Sequence, residues 1–246
     1  RTFPRPDVPP ASLRFAFASC QHYETGLYTA YEYMLQEGLD LVCHLGDYIY
    51  EGAPRDNSVR RHVGGKLTTL EEYRNRHAQY HTDSHLAAMH AACPWVVTWD
   101  DHEVENNYAA DISERNLARD EFLRQRAAAY QAYYEHLPLR RSSLPKGPDM
   151  KLYRRLSFGN LAEFFVLDTR QYRTDQPCGD GAKPPCDTVF DPDATLLGAQ
   201  QERWLMDGFT KSKAKWNVLA QQVMMARVDI RRGPDAAFSM DQWPGY

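Results

Sequence analysis

No apolar run in this sequence approaches the roughly 18 residues that a membrane-spanning helix needs. Nor is there an internal repeat or a low-complexity tract, which removes solenoids and disordered arms from consideration. An excess of one charge is missing too: 29 basic against 33 acidic side chains leave a formal charge of -4. That balance gives no broad electrostatic reason to bind nucleic acid or an anionic membrane. A phosphate-handling site would have to draw its positive charge locally, and bound metal would supply it. The N-terminus, RTFPRPDVPP, lacks the apolar core of a signal peptide. Residues 1–12 read as an extended Pro-rich linker that something precedes, and the closing SMDQWPGY has the look of a chain that continues. Cysteine is scarce and odd in number, at five. Cys178 and Cys186 bracket the Gly/Pro-rich loop CGDGAKPPC, which a disulfide could staple, implying an oxidising compartment. Cys43 in LVCHLG and Cys93 before Pro94 read as inert buried thiols. Cys20 is different.

Residues 13–246, with 43% hydrophobic side chains, suffice for one large α/β domain. Leu13 to Ser19 alternates as a strand does. Residues 27–37 have helical spacing, with Gly38 as a C-terminal stop. DLVCHLGD is a short buried strand ending at Gly46-Asp47. A polar, Gly-containing stretch from Pro54 to Lys66 reads as a mobile loop. TTLEEYRNRHAQYHTD follows as a helix capped by Thr68 or Thr69, with Glu71 and Glu72 in its first turn. PWVVTW is a third buried strand. Residues 112–136 carry the strongest helical pattern, through Leu117, Phe122, Tyr133 and Leu137, and Pro138 stops it. Gly159-Asn160 marks a hairpin between two strand-like runs. LGAQQERWLMDGFTKSKA reads as an amphipathic helix and KWNVLAQQVMM as a further strand.

Three buried strands thus end in polar clusters: Ser19-Cys20-Gln21-His22, then Gly46 to Glu51, then Asp100-Asp101-His102-Glu103. Sites in open α/β sheets collect at the carboxyl ends of strands. Carboxylate and phenolate oxygens suit hard cations, and a thiolate joins them at iron. A two-metal phosphoesterase needs one shared carboxylate holding its ions roughly 3.5–4 Å apart, and Asp47 has the chemistry for that bridge.

The segments ASCQ, HLGDYIYE and DDHE, in that order, resemble the alkaline phosphatase D family of metallophosphoesterases. YRNRHAQYHTD, LDTRQYR and WNVLAQQVMM extend the resemblance over nearly the whole chain. The resemblance implies a metallophosphoesterase-type β-sandwich core flanked by helices in four layers, incomplete as given. It implies a dinuclear site of Fe3+ and Ca2+, with Cys20 and Tyr50 as iron ligands, Asp47 as the bridge and Asp101 facing the second ion. A hydroxide activated by the two metals would attack a small phosphoester or phosphodiester, and His102 would contact the phosphate and protonate the leaving oxygen. Asn106 or Asn107 could reach the second metal, and neither is preferred. The family's later histidine-bearing GD-x-H motif is not found here, so activity is expected only together with the missing remainder of the chain. The family also implies export, by a twin-arginine route, to the periplasm, cell surface or medium. Two alternatives stand beside this reading: a phospholipase D-like phosphodiesterase of the same family, and an inactive metal-binding fragment. Arg170 and Arg173 could clamp a phosphate bidentately, and equally Asp168 and Arg170 could be a structural pair. His22 is a weaker ligand candidate than Cys20, and His81 with His85, lacking an intervening glutamate of the HExxH type, is a poor zinc site.

Overall fold

The structure, a computed structural model, describes residues 2–231 and 233–246. Its first unit is the parallel sheet β1 (Phe15–Ala18), β2 (Leu41–Leu45) and β3 (Trp95–Thr98), paired in that order. Ala18 sits opposite His44, and Leu45 opposite Thr98, so the three polar clusters leave the sheet side by side. Helices supply the crossovers. α1 (Thr29–Met34) runs into a single tighter turn, which Gly38 closes in the left-handed conformation. α2 (Leu70–His81) starts with a reciprocal cap: Thr69 Oγ1 accepts from the Glu72 N–H, and Glu72 accepts from the Thr69 N–H at 2.9 Å.

Two elements depart from the sequence pattern. A separate helix, α3 (Ser84–Ala92), lies where only a helix end was expected, because Asp83 Oδ1 accepts from the N–H groups of His85 and Leu86 and starts a new helix. His81 and His85 therefore fall on different helices. The long helix α4 (Arg119–His136) begins seven residues later than residue 112. Residues 112–118 serve another demand: Ser113 Oγ and Arg115 Nε, at 2.5 and 2.6 Å, satisfy the fully buried Glu105 carboxylate.

The second sheet joins β4 (Arg154–Phe158) and β5 (Ala162–Val166) as the expected hairpin, with β7 (Trp216–Ala220) parallel to β5. A two-stranded ribbon, β6 (Ala182–Lys183) with β8 (Phe238–Ser239), ties the Cys loop to the terminal segment, and α5 (Gly198–Lys211) precedes β7. One apolar cluster takes Leu41, Cys43 and Val96 from the first sheet and Phe164, Val166 and Ala220 from the second, so the sheets pack on each other. Val42, Trp95 and Val97 point the other way, into a larger cluster with Tyr73, Phe122, Tyr130 and Tyr133 of the helices. Phe165 and Leu167 meet Leu205 of α5 on the far side of the second sheet. The N-terminal stretch is packed as well: Phe3 meets Phe158 edge-on, and Val8 and Pro10 lie against Gly159. The loop after Pro54 is anchored where Arg60 bonds Asp83 at 2.6 Å and His62 is buried. Cys178 and Cys186 form the disulfide the sequence suggested, and Cys43 and Cys93 are buried. No helix of the described residues is long and apolar enough to cross a membrane.

Candidate metal centre

Sharp turns follow β1 and β2, and each places a non-glycine residue in the left-handed region: Cys20 at φ 56° and Asp47 at φ 53°. Each such residue costs about 1–2 kcal/mol of backbone strain, which the surroundings must over-determine. Here they do. The N–H groups of Cys20 and Gln21 donate to the carbonyls of Gly46 and Asp47, locking the first turn to the second. Glu103, buried from the third cluster, accepts from the N–H groups of Asp47, Tyr48 and Asp100 at 3.1, 2.6 and 2.9 Å. One carboxylate thereby fixes two strand ends. Gly46, at φ +110°, lets them approach: a Cβ there would lie 2.5 Å from the Asp100 backbone nitrogen.

The side chains carried by these turns converge. Ligand atoms of Asp47, Asp101 and His102 lie within 4.8 Å of one another. The Tyr50 hydroxyl donates to Asp47 Oδ2 at 2.8 Å, while Asp47 Oδ1 is buried and has no partner. The Cys20 thiol also faces Asp47, and burial followed by the Asp47 charge pushes it up to about 12. Burial and the neighbouring Asp101 raise Asp47 to about 6. Burial likewise drives the Tyr50 phenol far up, with Asp47 adding to it. Both shifts favour the protonated thiol and phenol, and a bound cation would favour their anions instead. Two hard oxygen types, a thiol and an orphaned carboxylate oxygen meeting around buried Asp47, with Cys20 on the solvent-exposed side, fit a metal ion.

The neighbouring groups are arranged differently from expectation in several respects. Asp101 Oδ2 accepts from the Asn107 N–H at 2.7 Å, and the charge of Arg170, then that of His102, outweighs burial to hold Asp101 below its ordinary range. Asp100 pairs with Arg170 Nε at 2.6 Å. His102 finds its partner far back in the chain. Its Nδ1 lies 2.7 Å from Glu51 Oε2, and although burial opposes a charge, Glu51, Asp101 and Asp47 together draw His102 up to about 9. Glu51 stood in the quoted HLGDYIYE motif without a role. A buried acid after an apolar run needs a partner, but its partner, 51 residues on, could not be picked out from sequence. Asn106 gives its side-chain amide to Glu114, and Asn107 gives its own to Asp180 in the disulfide loop. Arg170 is fully buried and is spent on Asp100 and Asp241, while Arg173 bonds Asp241 at 3.0 Å. Asp168 Oδ1 accepts from the backbone N–H groups of Arg170 and Gln171 and from Trp99 Nε1, so Asp168 and Arg170 do pair structurally, through the backbone, while the Arg170 guanidinium goes to Asp100 and Asp241.

A second trio, His22, Glu24 and His62, also brings its ligand atoms within 4.8 Å. Its atoms are already engaged: His62 faces Arg76 and Tyr80, and Glu24 accepts from the N–H groups of Arg55 and His62. The Arg76 guanidinium, 3.1 Å from His62 Nδ1, makes that point a poor place for a further cation.

A family model described as PhoD-like phosphatase matches residues 15–246. The chain belongs to this family. It is 56% identical to "Alkaline phosphatase D" of Bacillus subtilis (strain 168), over the whole of this chain and 43% of that protein. It also superposes on a solved "Structure of PhoD" with a TM-score of 0.95 at 56% identity, covering all of this chain and 48% of that one. The PhoD-like chain described here thus spans less than half the length of these relatives.

Proposed function

We propose that these residues form the metal-binding part of an exported phosphoester hydrolase of the alkaline phosphatase and phosphodiesterase type. The observation that carries this reading is the unpartnered, buried Asp47 Oδ1, clustered with Asp101 and His102 and approached by the Tyr50 hydroxyl and the Cys20 thiol, at the ends of three parallel strands. Cys20 and Tyr50 would hold Fe3+, Asp101 would hold Ca2+, and Asp47 would bridge them. Bound there, the cations supply a water of lowered pKa and neutralise the charge of a phosphoryl group. The protein's own side chains do the rest. Glu103 sets the two strand-end turns, Asn107 orients Asp101, and His102 presents a ring proton to the leaving oxygen of the ester. The two packed sheets, with α1 to α4 on one outer face and α5 on the other, support a four-layer sandwich of the metallophosphoesterase type. The disulfide favours an oxidising compartment.

The test uses the full-length protein loaded with metal. Asp47→Asn is expected to lose bound iron by elemental analysis. Its turnover of a chromogenic phosphodiester should fall by more than about 100-fold, the upper range for groups that merely support metal ligands. Wild-type activity in that variant would sink the assignment. Tyr50→Phe should abolish a visible charge-transfer band, and a band of unchanged position and strength would remove Tyr50 from the ligand set.

A further inference from the structure

Glu51 is almost wholly buried next to the site, and both of its oxygens are in use. Oε2 meets His102 Nδ1 at 2.7 Å, and Oε1 accepts from the Asn106 N–H at 3.0 Å. The backbone around it is held on both sides: Arg76 donates to the carbonyls of Tyr50 and Gly52, and the Leu67 N–H donates to that of Glu51. The His102 ring is confined from a second direction by Tyr50, whose ring centroid lies 4.2 Å away. Nδ1 is therefore committed, the ring cannot flip without breaking that bond, and Nε2 is the ring nitrogen left without that commitment.

We propose that Glu51 is a positioning residue for phosphoester cleavage, fixing His102 so that Nε2 points at the leaving oxygen. This rests on the role assigned to His102 above. As a water oxygen bonds to phosphorus and releases its proton, the bond between phosphorus and the leaving oxygen breaks, its electron pair stays on that oxygen, and the Nε2 proton moves to it. The Nδ1 proton remains on Glu51's side, keeping the ring in one tautomer. The same carboxylate holds Asn106, one residue before the N–H that orients Asp101, so the acid and the metal-facing aspartate are set by one group.

The experiment compares Glu51→Gln, Glu51→Asp, His102→Ala and the Glu51→Gln/His102→Ala pair in the full-length, metal-loaded protein. Two phosphate esters are used, p-nitrophenyl phosphate with its good leaving group and benzyl phosphate with a poor one. Glu51→Gln should lower kcat on the benzyl ester by about 100-fold or more, in the range general-acid assistance provides. The nitrophenyl ester should fall only a few fold, and bound metal should be unchanged. Glu51→Asp should recover part of the loss, because the carboxylate is retained. The double variant should be no slower than His102→Ala. An equal fall on both esters, loss of metal from Glu51→Gln, or losses that add in the double variant would each overturn the proposal. A His102→Ala variant that ignores the leaving group would instead overturn the acid role of His102, and the additivity measurement would still decide on Glu51.

Discussion

Single residues at the ends of β2 and β3 carry the most information per atom. Gly46 combines φ +110° with a closest approach to Asp100 that leaves no space for a methyl group. Gly46→Ala should cost about 2–4 kcal/mol through strain and overpacking, and should weaken metal retention because Asp47 and Asp100 move apart. Denaturant unfolding and elemental analysis would check both effects, and an unchanged midpoint would contradict the packing seen here. Arg170 is a different case. Its guanidinium is fully buried between Asp100 and Asp241. Removing one partner of a buried ionic network leaves charges uncompensated and costs about 3–5 kcal/mol. Arg170→Ala should accordingly lower the unfolding free energy by that order. A variant of native stability with only a raised KM for substrate would restore the phosphate-clamp reading.

Elements were legible to the extent that their own residues define them. The helix cap, the Gly38 stop and the Gly159-Asn160 hairpin are local signals; the structure places the last two where they were read and chooses Thr69 of the two threonines offered for the cap. Thr69→Ala should therefore destabilise α2 by about 1 kcal/mol; thermal unfolding with no measurable change would mean that helix packing, not capping, fixes that end. The failures have a common origin. α4 starts late because Ser113 and Arg115 are requisitioned by a buried glutamate eight to ten residues earlier. The α2–α3 break depends on Asp83, which reads as an ordinary polar residue until its oxygen is seen to cap a second helix. Neither demand leaves a mark on hydrophobic periodicity.

At the scale of the whole molecule, five of the nine histidines gather with Tyr48 and Trp95 where β2, β3 and the helices α2 to α4 meet. Burial, with His90 adding to it, depresses His44 to about 3. Burial and His81 bring His90 to about 4, and burial with His136 and His81 holds His77 well below its ordinary value. In each case the folded value lies under the unfolded value of about 6.5. Between those limits the unfolded chain binds more protons, so stability is full above about pH 6.5 and is lost as pH falls toward 4. The slope is about 1.4 kcal/mol per pH unit for each such histidine. Denaturation midpoints followed from pH 8 to pH 4 should show this decline, and a flat profile would mean these rings are solvated. Tyr48 follows Asp47 in the chain and its hydroxyl bonds His90, which ties this cluster to the candidate metal centre.

The sequence by itself determined most of the strands and helices, the disulfide loop and the three strand-end clusters, but not α3 or the β6–β8 ribbon, because strand patterning, caps and turn residues act over a few positions. The family followed from those clusters taken in order. Tertiary structure decided who partners whom. It gave His102 to Glu51, turned Arg170 inward to Asp100 and Asp241, and left one oxygen of Asp47 buried without a partner. Those outcomes depend on which strand ends lie side by side and on where buried charge can be neutralised. Both are long-range consequences of packing two sheets together, and no local pattern encodes them.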